Sequence, residues 1–168
     1  FASAIEHFNH GRFDDAERLC RDVLMFNKGH FDALHMLGMI AARIGNPDAA
    51  VELYSRAIAA NSRSAECHFN LAQVLHAQAR DVDALAHLGE AIARKSDYIA
   101  AHVGCADILA KQNDLEGARL SYQRALACEP RLVEVRHEYA NVLRRLDRLD
   151  EAADQFRQVI ATRPDFAE

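Results

Sequence analysis

The chain has 168 residues, half of them apolar and 27% charged, the balance of an ordinary soluble protein long enough for one compact domain or a short array of repeats. Twenty basic against 25 acidic side chains leave a net charge of −5, with no basic stripe of the kind that neutralises nucleic-acid phosphates. The longest apolar run, residues 34–42, contains His35 and is too short to cross a bilayer, and the lack of Trp with only three Pro suits helices.

Taken from the N-terminus, the first predicted unit covers residues 1–30. It carries Ala4, a short turn at Gly11-Arg12, the acids Asp14 and Asp15, then Ala16 and Val23-Leu24. The chain opens on Phe1 rather than Met, in the register of His35 and Phe69, which reads as a trimmed unit from a longer protein. The second unit, 31–64, repeats the order with Gly38, the turn Gly45-Asn46, Asp48, Ala50 and Ala57-Ile58. Here Asn46-Pro47 reads as an N-cap followed by proline at the first helical position. Ala50, Tyr54, Ala57 and Ile58 fall at i, i+4, i+7 and i+8, one face of an α-helix.

The third unit, 65–98, opens with a predicted helix over 65–78 containing Ala72. It turns at Ala79-Arg80 and resumes through Asp83, Ala84 and Ala91-Ile92. The fourth, 99–132, has a helix over 99–112 with Ala106, a turn at Asn113-Asp114, Glu116, and the face Ala118, Tyr122, Ala125 and Leu126. The fifth, 133–166, has Ala140, the turn Asp147-Arg148, the acids Asp150 and Glu151, and the face Ala152, Phe156, Val159 and Ile160. Pro130 and Pro164 close the last two units, since proline cannot continue a helix, and Ala167-Glu168 would open a sixth.

Ala16, Ala50, Ala84, Ala118 and Ala152 thus stand 34 residues apart, and so do Ala4, Gly38, Ala72, Ala106 and Ala140. A fixed period of that length means a fold assembled from copies of one unit. Each copy is two helices joined by a turn short enough to make them antiparallel neighbours. Small residues on facing helices let the backbones approach to the short end of the usual separation, about 8–10 Å between axes. The acids lie in the first turn of each second helix, where carboxylates favour the positive end of the helix dipole.

These residues resemble the tetratricopeptide repeat family over essentially the whole chain. That family has small residues in the registers just named and a large or aromatic residue where Cys20, Tyr54, Leu88, Tyr122 and Phe156 fall. It often has proline where Pro130 and Pro164 fall. The chain departs from it where an early aromatic is replaced by Leu34, His68, His102 and Arg136, and where the terminal proline is replaced by Lys28, Ser62 and Ser96. The resemblance implies an all-α fold, a right-handed α-solenoid of antiparallel helix pairs. Its first helices would line a groove that holds a peptide or helical segment of a partner protein.

The expected groove residues differ along the chain. Phe1, Ile5, His35, Met36, Met39 and Phe69 are mostly apolar; Asn70, Gln73, His76, Asp107, Lys111, His137, Glu138, Asn141 and Arg144 are polar and carry both signs. A partner amphipathic along its length is expected, its apolar part against the first three units. The other reading is that the apolar group simply packs between adjacent first helices. A clamp for acidic chaperone tails is not expected. The window that would form it reads Phe69, Gln73, Gly104, Glu134 and Glu138, with acids where cations belong. An asparagine ladder is not expected either, because its register reads Ala2, Met36, Asn70, Gly104 and Glu138.

Cys20, Cys67, Cys105 and Cys128 have neither CxxC spacing nor a zinc-type combination with His, and read as small buried hydrophobes in a reducing, cytoplasmic setting. His7 and His10 could share a helix face, but nothing completes a tetrahedral metal set. No phosphate loop, nucleophile elbow or Cys/His pair stands in the needed context, so no catalytic residue, metal or cofactor is assigned. The leading functional reading is a protein-interaction scaffold or adaptor. The alternatives are the substrate-recruiting part of a larger bacterial glycosyltransferase or methyltransferase, and self-association through Phe156, Val159 and Ile160.

Overall fold

The computed structural model describes residues 1–163; the expectations placed on Pro164, Ala167 and Glu168 lie outside them. Among the described residues there are ten helices and no strand. They are α1 (Ala2–Asn9), α2 (Phe13–Phe26), α3 (Phe31–Arg43), α4 (Pro47–Ala60) and α5 (Ala65–Ala77), followed by α6 (Asp81–Arg94), α7 (Ile99–Lys111), α8 (Leu115–Cys128), α9 (Val133–Arg145) and α10 (Leu149–Thr162). The fold is all-α, built from helical hairpins. It divides into two compact units, Phe1–Arg94 with α1–α6 and Lys95–Glu168 with α7–α10.

Within each hairpin the two helices pack along their length: α1 on α2, α3 on α4, α5 on α6, α7 on α8 and α9 on α10. The turns share one backbone solution. Gly11, Gly45, Ala79, Asn113 and Asp147 all have positive φ, between 58° and 77°. The next residue's N–H then reaches back to a carbonyl five residues earlier, as in Asn46 N–H to Ala41 O at 2.9 Å and Arg148 N–H to Leu143 O at 3.0 Å. That left-handed residue with its backward bond satisfies the carbonyls orphaned at the end of the first helix. Asn46, with Pro47 at the first helical position, caps α4 by accepting from Ala49 N–H; Asp114 caps α8 in the same way through Gly117 N–H.

Small residues sit where hairpin partners meet. Ala4, Ala16, Ala50, Ala84, Ala106, Ala118 and Ala140 are fully buried. At Gly38 the fit is tightest, because a Cβ there would lie 2.7 Å from the Tyr54 ring. In the first unit, α2 packs on α3 and α4 on α5, so each of these second helices joins its own hairpin to the next. In the second unit, α8 joins α7 to α9 around Ala106, Ala118, Tyr122, Tyr139 and Leu143. Arg145 of α9 also donates to Ala110 O and to Asn113 Oδ1, tying its hairpin to the preceding turn.

Candidate functional site

In the first unit α3 also touches α5 directly, with α4 behind the pair. Beside them is a hollow of about 450 Å³. Ala42, Gly45 and Pro47 line one side, Tyr54 reaches in from α4, and Asn70, Gln73, Val74 and Ala77 line the α5 side. No lining residue is charged. The hollow exists because the residues around it are small and the one large ring, Tyr54, is itself only 2% exposed and packed under Gly38.

Asn70 is held from below. Its Nδ2 lies 3.0 Å from His35 Nε2, joining α5 to α3. The His35 ring stacks on Phe31, with centroids 5.6 Å apart, and meets Tyr54 at a tilt. Burial pushes the His35 pKa below its ordinary value, although the carboxylates of Glu66 and Asp32 pull the other way. A neutral imidazole can accept from the Asn70 amide N–H, which ties this lining residue to α3.

The second unit has its own hollow, of about 300 Å³, lined by Val103 and Asp107 of α7, Tyr122 of α8, and Glu134, Val135, His137 and Glu138 of α9. The Tyr122 hydroxyl donates to Asp107 Oδ1 at 2.5 Å, fixing that carboxylate in the lining. Burial, reinforced by Asp107, raises the Tyr122 pKa, so its proton stays on to make this bond. Glu134 accepts from Arg163, and His137 Nδ1 lies 3.3 Å from Glu138.

Of the residues expected in a groove, Asn70 and Gln73 line the first hollow, and Asp107, His137 and Glu138 line the second. His35 and Met36 are buried, at 9% and 5% exposure, beneath the surface rather than on it. Met36 lies in the core with Cys20, whose Sγ is 3.5 Å from its sulfur, and Met39 packs against the same cluster. Phe69 is half-buried. His76 is drawn to Asp81 across the α5–α6 turn, with Nδ1 2.5 Å from Oδ1. Asn141 pairs with His137 Nδ1 and faces Arg144, while Lys111 and Arg144 are exposed. Phe1 and Ile5 are exposed at 37% and 42%.

Two expectations need correcting. Cys128 is exposed at the last residue of α8, where the helix face has turned to solvent; the other three thiols are buried. Burial pushes Cys20 and Cys105 up to about 11 and Cys67 to about 12, so these three remain protonated and inert. On α10, Val159 is buried and Phe156 is half-buried against His137, leaving only Ile160 of the expected apolar face exposed.

Val103 also lines the second hollow and is not among the expected groove residues, although it stands one repeat after Phe69 and one before His137. Tyr54 and Tyr122 read from the sequence as hairpin packing, and their second role as hollow walls has no signal in a single repeat. Among the described residues no group of three or more His, Cys, Asp or Glu could hold a metal ion, and no helix is long and apolar enough to cross a membrane.

The profile of the tetratricopeptide repeat matches residues 35–99 and 82–133, and a second profile of the same repeat matches 133–158. No curated protein matches the chain. Solved structures do. MamA is 21% identical with a TM-score of 0.89, over 98% of this chain and 96% of that one. YrrB, described as a TPR protein with an unusual peptide-binding site, is 15% identical with a TM-score of 0.83, over 96% and 84%. PilF of Pseudomonas aeruginosa is 20% identical with a TM-score of 0.82, over 96% and 73%. At these identities the likeness establishes the fold, an α-solenoid of helix pairs.

Proposed function

Because the chain belongs to the tetratricopeptide repeat family, we propose that it is a non-catalytic interaction scaffold that holds a peptide or helical segment of a partner protein. The observation that carries this reading is the uncharged hollow beside α3 and α5, with Tyr54 and Val74 as apolar wall and Asn70 and Gln73 as polar contacts. Concave, mostly apolar sites with a few placed polar groups are where ligands bury surface and are still oriented. The peptide-binding site of YrrB, on a similar fold, supports the same use here. The apolar part of the partner lies against this hollow, with affinity in the micromolar range, about −8 kcal/mol.

Panning a random-peptide phage library on the purified protein tests the proposal. Gln73→Trp, at an exposed α5 position, would plug the hollow without touching the core. Wild type should enrich a peptide family and the variant should lose it while keeping its circular dichroism and melting temperature. No enrichment, or equal enrichment on both, would refute the reading.

A further inference from the structure

We infer that the hollow of the second unit takes a lysine or arginine side chain of the partner segment; this rests on the scaffold reading above and names the chemistry recognised there. Val103 and Val135 give the hollow apolar walls, both packed against the core of that unit. Around them stand three carboxylates, Asp107, Glu134 and Glu138. Arg163 already pairs with Glu134, and His137 beside Glu138 counts as a cation only when protonated. Asp107 uses one oxygen for the Tyr122 hydroxyl, which aims the carboxylate without neutralising it.

An apolar side chain seated there would strip water from Asp107 and Glu138 with nothing to replace it, a cost that defeats the contact. An acidic one would be repelled. A lysine or arginine satisfies both halves of the lining. Its methylene stem covers Val103 and Val135 while its charged head reaches the carboxylates at the edge. The first hollow, which has no charged lining residue, lacks this preference.

The test uses three short amphipathic peptides, identical except for a central lysine, norleucine or glutamate, titrated into 15N-labelled protein at low salt. The lysine peptide should bind roughly tenfold more tightly than the norleucine peptide. It should shift the amides of Asp107, Val135 and Glu138, and lose its advantage as salt is raised. Asp107→Asn with Glu138→Gln should erase the preference, weakening the lysine peptide and tightening the norleucine peptide, whose contact no longer strips water from two carboxylates. The amide oxygen that Asp107→Asn introduces can still accept from the Tyr122 hydroxyl. The single variant Glu138→Gln, at an exposed position, should weaken the preference with no effect on folding. Equal binding of the lysine and norleucine peptides, or a preference that survives the double variant, would overturn the inference alone. If no peptide shifts any amide of α3, α5, α7 or α9, the scaffold reading falls with it.

Discussion

Single residues decide how closely the hairpins close. At Gly38 the backbone of α3 lies against the Tyr54 ring, and a methyl group would sit 2.7 Å from two ring carbons that are buried and cannot swing away. Gly38→Ala gains about 1 kcal/mol of helix propensity. Overpacking costs about 1–3 kcal/mol and should outweigh that gain, for a net loss of up to about 2 kcal/mol by urea denaturation. Ala79 presents the opposite case. It occupies the left-handed position that Gly11 and Gly45 fill in their own turns, at φ 58°. Ala79→Gly should therefore stabilise the protein by about 1 kcal/mol, against the usual cost of glycine, and a higher melting temperature would register it.

At the scale of the helix, the α5–α6 hairpin contains a titratable contact. His68 of α5 is 4% exposed, and its Nδ1 lies 3.1 Å from Nδ1 of His87 on α6, so one imidazole donates and the other must be neutral to accept. Burial lowers both pKa values; Arg94 and the partner imidazole lower that of His68 further, while Glu90 and Asp83 only partly offset this. His35 is lowered by burial as well. Groups depressed in the folded state and titrating near 6.5 when unfolded give stability that is complete above that pH and is lost as pH falls through the folded values. Urea midpoints should drop from about pH 7.5 to about 5.5, and His87→Gln should flatten the slope. A midpoint that rises on acidification would contradict the assignment.

The hairpins themselves were legible in the sequence because small residues recur every 34 positions and any helix-pair reading must place them inside. Ala50, Ala84 and Ala118 are buried for that reason. The lining of the hollows was less legible. His35 and Met36 stand in registers that face a neighbouring first helix, and periodicity cannot say whether such a side chain stops beneath the surface or on it. That depends on the packing of Phe31, Tyr54 and Asn70 around His35, and of Cys20 around Met36.

At the scale of the whole molecule, one hairpin is repeated with little change while the surfaces beside it diverge. Ala42, Val74 and Gln73 make an uncharged hollow in the first unit, and Asp107, Glu134 and Glu138 make an acidic one in the second. A shared interior with differing surfaces is what a repeat scaffold needs, since the buried registers hold the stack together and the exposed ones are free to choose a partner. Hydrogen–deuterium exchange with and without a library-selected peptide tests that account most directly. It predicts that the peptide slows exchange in α5 around residues 70–77 and leaves α2 and the outer face of α4 unchanged. Protection confined to α2 and α4, with α5 unaffected, would contradict it.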